Sequence, residues 1–267
     1  MLYVYGVVPR DFASAKAPDG LDDAAVTIAR GEEGDVAALV SRLDHPDYEP
    51  ATLEQRSGDV EWLSPRALAH DRVLTWASDH GAVVPFPMFS LFSGEPAVQT
   101  MLTDRREQLT ETLTRIGSAR EYALRVYRVD AELLGVVHDL SPRLRELAAN
   151  AANASPGQRY LLERKLDGEK RAELRAVTQR IVDEIVDELR VAARAVHRSP
   201  IPRVSDADAT RGTMVLNAAF LVASERLTDF QKTLTRLVEQ RGAQGFHFDF
   251  TGPWPPYHFV NPSGDDV

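Results

Sequence analysis

Cysteine does not occur in this chain. No disulfide framework, thiolate metal site or cysteine nucleophile can therefore form. Long apolar runs are missing as well: no stretch approaches the roughly 20 residues that a bilayer-spanning helix needs, so no membrane span is expected. Positive charge is in deficit, with 31 Lys and Arg against 40 Asp and Glu and a formal net charge of −9. That balance argues against a nucleic-acid partner, because phosphate binding depends on clustered cations. Neither Gly-x-x-x-x-Gly-Lys-Ser/Thr nor Gly-x-Gly-x-x-Gly occurs, so no phosphate cradle is recognisable, and Gly-x-Ser-x-Gly and His-Glu-x-x-His are absent too. Met1–Val8 carries no basic leader and meets Pro9 too soon for a signal peptide. What remains is a composition of 43% hydrophobic and 27% charged residues, that of a soluble globular protein. The 267 residues suffice for one large domain or two smaller ones. A cytoplasmic location is expected.

Leu2–Val8 reads as a strand of β-branched and aromatic residues closed by Pro9. Ala25–Arg30 and Val36–Arg42 are short apolar runs joined by Gly31-Glu32-Glu33-Gly34, a hairpin signal. Pro46–Pro50 reads as a loop. Ser64-Pro65 offers an N-cap and a proline at the first helical position, which predicts a helix to His80 with Gly81 as a left-handed cap. Ala82–Phe92 is the most apolar stretch of this half, yet Pro85 and Pro87 restrict it to an edge or kinked strand. Glu95–Ile116 is predicted as one helix, and Tyr122–Val129 alternates as a strand with Tyr122, Leu124, Val126 and Val129 set against Arg125, Tyr127 and Arg128. The interleaving predicts an α+β layer, a four- or five-stranded and largely antiparallel sheet with helices on one face.

Ala131–Ala149 is helical with a break at Ser141-Pro142, and 150–157 is a small, polar turn or linker. Gln158–His197 then runs without proline and is predicted as one long helix, reaching roughly 60 Å if unbroken. Its apolar stripe is Leu174, Val177, Ile181, Ile185, Leu189, Ala192 and Val196. Arg164, Lys165, Lys170, Arg171 and Arg175 load its first half, and Asp183, Glu184, Asp187 and Glu188 its second. Two readings stand for these charges: a solvated face with helical ion pairs, or a partner-docking surface. Arg203–Gly212 is a polar loop, Thr213–Val222 a strand, and Ser224 the expected cap of a helix over Glu225–Arg241. Phe246, Phe248 and Phe250 alternate with His247, Asp249 and Thr251 in a closing strand that Gly252-Pro253 is expected to stop. The tail beyond it, rich in proline and aromatics, reads as docked on a core, with Trp254 as an anchor whose loss costs several kcal/mol.

No chemistry-bearing constellation emerges. His247 and Asp249 share a strand face, but two ligands do not make a catalytic zinc site, and a solvent-exposed face explains them. His45 lies among Asp44, Asp47 and Glu49, as in any acidic loop. His70, Asp71 and His80 pair with no nucleophile, and Trp62 and Trp76 read as core. No catalytic, metal or cofactor residue is nominated, and the expectation is a non-enzymatic protein without cofactor.

Five segments in order carry a family resemblance: Tyr3–Val8; Val83-Val84-Pro85-Phe86-Pro87-Met88-Phe89-Ser90-Leu91-Phe92; Gly157-x-x-Tyr160-Leu161-x-x-Arg164-Lys165; Asn217–Val222; and the closing signature Thr251-Gly252-Pro253-Trp254-Pro255-Pro256-Tyr257-x-Phe259-Val260. Together they resemble the GvpL/GvpF family of gas vesicle proteins across essentially the whole chain. One departure is Pro87-Met88-Phe89, where many members carry Arg-Phe-Gly. The resemblance implies two α+β domains, the first a modified ferredoxin-like sheet with helices and the second with long helices. The expected boundaries are 1–118, then 119–260 with its long helix at 158–197, and an acidic tail at 261–267. It also implies a cytoplasmic, gas-vesicle-associated accessory protein that contacts the hydrophobic shell protein and other accessory proteins. Pro85, Phe86, Phe89, Phe92, Arg164 and Lys165 are the expected partner-binding residues, and Thr251–Tyr257 a structural signature. The alternative is a ligand-sensing ferredoxin-like domain with a helical output arm.

Overall fold

The computed structural model describes residues 1–13, 16–31, 34–44, 46–56, 58–202 and 211–260. Glu32 and Glu33 of the expected hairpin turn, His45, most of the 203–212 loop and the 261–267 tail lie outside them. Two compact units divide the chain: Met1–Glu121 with the residues from Pro253 onward, and Tyr122–Gly252. Residues 253–260, expected with the second half, thus group with the first unit.

The first unit is organised around β1 (Leu2–Pro9), which pairs antiparallel with β3 (Val36–Arg42), itself paired with β2 (Val26–Arg30). After α1 (Pro50–Arg56) and α2 (Val60–His80) come β4 (Val84–Pro85) and β5 (Leu91–Phe92), both on the other side of β1. The sheet order is β2-β3-β1-β4. A bulge at Tyr5 shifts the β1–β3 register between Val4 and Gly6, and one extra residue reverses which side chains face which way. Leu2, Val4 and Val7 therefore share one face with α3 (Glu95–Asp104) and α4 (Arg106–Ile116), while Tyr3, Tyr5 and Val8 share the other with α2. Helices cover both faces, where one was expected; the unbroken apolar run of β1 is the sequence mark of a strand buried on both sides. Gly6 is required because a Cβ there would meet the Val84 carbonyl at 2.7 Å.

Several boundaries differ from expectation. α2 starts four residues before Ser64, because Asp59 caps it by accepting from the Glu61 and Trp62 N–H groups at 3.1 Å. Pro65 lies inside the helix, where it leaves the Glu61 carbonyl without its helical donor. Gly81 has φ 171, an extended conformation and not a left-handed cap. The expected helix over Glu95–Ile116 is two, hinged at Arg105 with φ −105, and α1 shares only Pro50 with the loop expected at Pro46–Pro50.

In the second unit, β6 (Ala119–Arg128) is followed by α5 (Asp130–Leu140) and α6 (Pro142–Ala152), the break falling at Ser141, which caps α6 through the Leu144 N–H. α7 (Pro156–Arg190) spans about 50 Å. It ends seven residues before His197, because Ala195–Arg198 forms β7 against β8 (Thr213–Ala223), in an antiparallel ladder that a helical reading of Val196 could not foresee. A 3-10 turn at Ser224–Arg226 precedes α8 (Leu227–Gly242), so Ser224 is not the cap of that helix. β9 (Phe246–Trp254) closes the sheet order β7-β8-β6-β9. Gly252 and Pro253 do not stop it: at a sheet edge, proline's missing N–H costs no ladder bond. The core joins Leu174, Val177, Ile181, Ile185 and Leu189 of α7 to Phe220, Phe230 and Phe246, each fully buried side chain contributing about 1.5–3 kcal/mol.

Candidate functional site

Three of the sequence-marked segments meet in the first unit around one buried histidine. Tyr3 donates its hydroxyl to Nδ1 of His70 at 2.6 Å and accepts from the Phe89 N–H at 3.3 Å. The Phe86 backbone acts on the ring in favour of its charged form. Burial outweighs this and lowers the His70 pKa from 6.5 to about 4, so the ring is neutral at pH 7. Burial also pushes the Tyr3 phenol up, which keeps the proton it donates. His70 thus ties β1 to the Pro85–Phe92 segment as a structural group.

That segment turns at Pro87–Ser90, where the Ser90 N–H reaches the Pro87 carbonyl at 3.2 Å. Phe89 sits at φ 64, a left-handed conformation that costs a side-chain-bearing residue about 1–2 kcal/mol. Phe89 is retained through packing: its ring stacks on Trp62 at 5.4 Å and meets Tyr3 edge-on at 6.5 Å.

The closing tail is held by polar contacts and by Pro255, Pro256 and Phe259, all buried. Tyr257 donates to Asp71 at 2.9 Å, and Arg115 donates to the Phe259 carbonyl at 2.8 Å. Glu121, 2% exposed, accepts from the His258 N–H at 2.9 Å and from its ring Nδ1 at 2.6 Å. Trp254 is 40% exposed, so it is not the anchor expected of it; Phe259 is. Residue type alone singled out Trp254, and nothing local marked Glu121 as the tail's clasp.

Between the tail, the β4 edge and the start of α4 lies a cleft of about 530 Å³, lined by Pro85, Phe86, Met88, Arg105, Gln108 and Tyr257 among others. The Arg105 guanidinium stands 5.6 Å from the Phe86 ring centroid. Of the expected aromatic contact residues, only Phe86 reaches this cleft, and it is itself buried. Phe89 and Phe92 pack inward against the two cores of the unit.

Arg164 and Lys165 lie in the other unit, on the outward face of α7. Gly157, Tyr160, Leu161, Arg164, Lys165 and Gly168 recur there at helical spacing and all are exposed. Tyr160 and Leu161 are each 65% exposed, and Arg171 and Arg175 continue the stripe. Lys165 reaches Glu169 at 4.0 Å, while Arg164, Arg171 and Arg175 make no ion pair among the described residues. The acidic half of the helix is engaged within its own unit, Asp183 with Arg198, Glu184 with Arg241 and Glu188 with Arg236. The first half carries ion pairs as well, Lys165 and Arg143 with Glu169 and Lys170 with Asp167, but leaves Arg164, Arg171 and Arg175 outside them.

His247 and Asp249 lie on an exposed or half-buried strand face, near Glu132 and Arg211 respectively. No group of three potential metal ligands occurs among the described residues, and no helix of theirs is long and apolar enough to cross a membrane.

Comparison with known proteins gives a consistent result. Residues 1–261 match the family described as gas vesicle synthesis protein GvpL/GvpF. Gas vesicle protein L of Streptomyces sp. (strain CB03234) is 29% identical, covering 99% of this chain and 94% of that one. Gas vesicle protein F of the same strain is 28% identical over 97% of this chain and 98% of its own. The crystal structure of gas vesicle protein GvpF from Microcystis aeruginosa shares the fold with a TM-score of 0.66 at 19% identity, covering 97% and 98% of the two chains. The chain belongs to the GvpL/GvpF family of gas vesicle synthesis proteins.

Proposed function

We propose that the protein acts by binding and not by turnover, as a cytoplasmic accessory factor in gas vesicle assembly that holds the hydrophobic shell protein together with other accessory proteins. A shell subunit with an exposed apolar face aggregates unless a complementary surface covers it. The observation that carries this reading is the outward face of α7, where Tyr160 and Leu161 stand 65% exposed beside Arg164 and Lys165. Large apolar side chains left open beside Arg164, which makes no ion pair among the described residues, fit a partner that offers an apolar stripe flanked by acids. The test is co-purification with the shell protein of the wild type and of a variant carrying Tyr160→Ser, Leu161→Ser, Arg164→Glu and Lys165→Glu. These side chains pack on little within the unit, so the melting temperature is expected to hold while shell-protein retention falls at least roughly tenfold. Unchanged retention would remove α7 from the interface. Normal vesicles in a clean deletion strain would overturn the accessory role itself.

The ligand-sensing alternative draws on a different observation, a cleft of about 850 Å³ in the first unit lined by Arg10, Arg30, Leu113 and Thr114 among others. Thr110, which also lines it, has its Oγ1 buried without a hydrogen-bond partner among the described residues. A thermal-shift screen of metabolites decides it: a reproducible rise that Thr110→Val removes supports it, and no rise across the panel refutes it.

A further inference from the structure

Sheet edges expose unpaired backbone donors and acceptors, and folded proteins blunt them. In the first unit, β4 is two residues long and carries Pro85, and β2 at the other end of the sheet has five residues. In the second unit, β7 has only four residues. β9 is the longest of these edges: nine residues at the end of its sheet, with no lysine and with its proline at position 253 only. Among the described residues, no backbone group of Phe246–Phe250 bonds to a loop or helix. Phe248 and Phe250 remain only half-buried along this edge, though both belong to the apolar face.

The segment Phe246-His247-Phe248-Asp249-Phe250 is self-complementary. Two copies running antiparallel about a twofold axis at Phe248 place Phe246 opposite Phe250, Phe248 opposite itself, and His247 opposite Asp249 twice. Because the axis is perpendicular to the sheet, the phenylalanines extend one continuous apolar face and the polar pairs lie together on the other. Asp249 already receives Arg211 at 3.4 Å and stands 3.9 Å from Arg125, while His247 stands 3.7 Å from Glu132. The paired arrangement thus adds a cation-compatible donor to one carboxylate on each copy and displaces no ladder bond. We infer that β9 is a docking edge for a second copy of this chain, joining two four-stranded sheets into one.

The cysteine-free sequence makes the register directly testable. Single substitutions His247→Cys and Asp249→Cys are introduced separately into the full chain. An equimolar mixture of the two is expected to form a mixed disulfide faster than either variant forms its own, because residues 247 and 249 face each other across the axis. Light scattering of the wild type is expected to give about twice the 29.6 kDa chain mass as concentration rises. His247→Asp sets like charges opposite each other twice and is expected to weaken dimerisation roughly tenfold. The exchange His247→Asp with Asp249→His restores complementarity and should recover it, which separates pairing from misfolding. A monomeric mass at all concentrations, or mixed cross-linking no faster than self cross-linking, overturns the proposal; a monomer whose edge is captured only by a foreign strand does the same.

Discussion

Acidification should loosen the first unit through a single side chain. His70 is 6% exposed, and burial holds its pKa at about 4 against 6.5 in the ordinary state. Its folded value is depressed, so unfolding takes up a proton throughout the interval between the two values. The stability contribution is fully present above pH 6.5, falls as pH drops, and is lost by pH 4. Between neutral pH and pH 5 the interval covers about 1.5 units, and at 1.36 kcal/mol per unit the loss is about 2 kcal/mol. Two of the chain's three tryptophans, Trp62 and Trp76, lie in α2 of the first unit, so in a Trp254→Phe background their fluorescence reports its unfolding. With a urea slope of about 1–3 kcal/mol/M, the midpoint should move by about 1 M from this group. His70→Gln isolates the share of this histidine. Glutamine cannot charge, so the variant should be less stable at neutral pH and its midpoint should fall less on acidification. Equal pH slopes for wild type and His70→Gln would refute the assignment of a buried, neutral imidazole.

Phe89→Gly and Phe89→Ala both lose the stacking on Trp62, but only glycine accepts φ 64 without strain. The glycine variant should therefore be the more stable of the two by about 1 kcal/mol in urea unfolding, and the reverse order would dismiss the strain. Glu121→Ala removes the acceptor of two His258 groups and should cost about 3 kcal/mol, with Glu121→Gln recovering part of it. Limited proteolysis of the tail checks this, and an unchanged cleavage rate would show that the clasp does not hold it. Trp254→Ala at 40% exposure should cost no more than about 1 kcal/mol, whereas Phe259→Ala at 7% exposure should cost about 3 kcal/mol. Thermal denaturation of the pair decides the order.

Where a local pattern corresponds to a local cause, it was legible. The β2–β3 hairpin partners, the Ser141 break and the α7 stripe from Leu174 to Leu189 depend on turn chemistry, a cap and a helical period. The hinge at Arg105 and the early start of α2 at Asp59 depended instead on competing signals. Pro65 sits where proline usually begins a helix, but the Asp59 cap upstream prevailed. Arg164 and Lys165 are exposed on α7, while Phe89 and Phe92 pack inward in the first unit.

Sequence by itself determined the family, the mixture of helix and strand and the absence of recognisable catalytic motifs, because composition, periodicity and motif order are properties of the chain. The closing signature, its most specific mark, was legible in the same way. Only the tertiary structure decided what that signature does. Glu121 grips the tail from 137 residues away, and His70 joins β1 to the Pro85–Phe92 segment across 67. Contacts between positions so far apart leave no trace in local spacing. They exist only once burial brings the groups together and removes the water that would otherwise satisfy them.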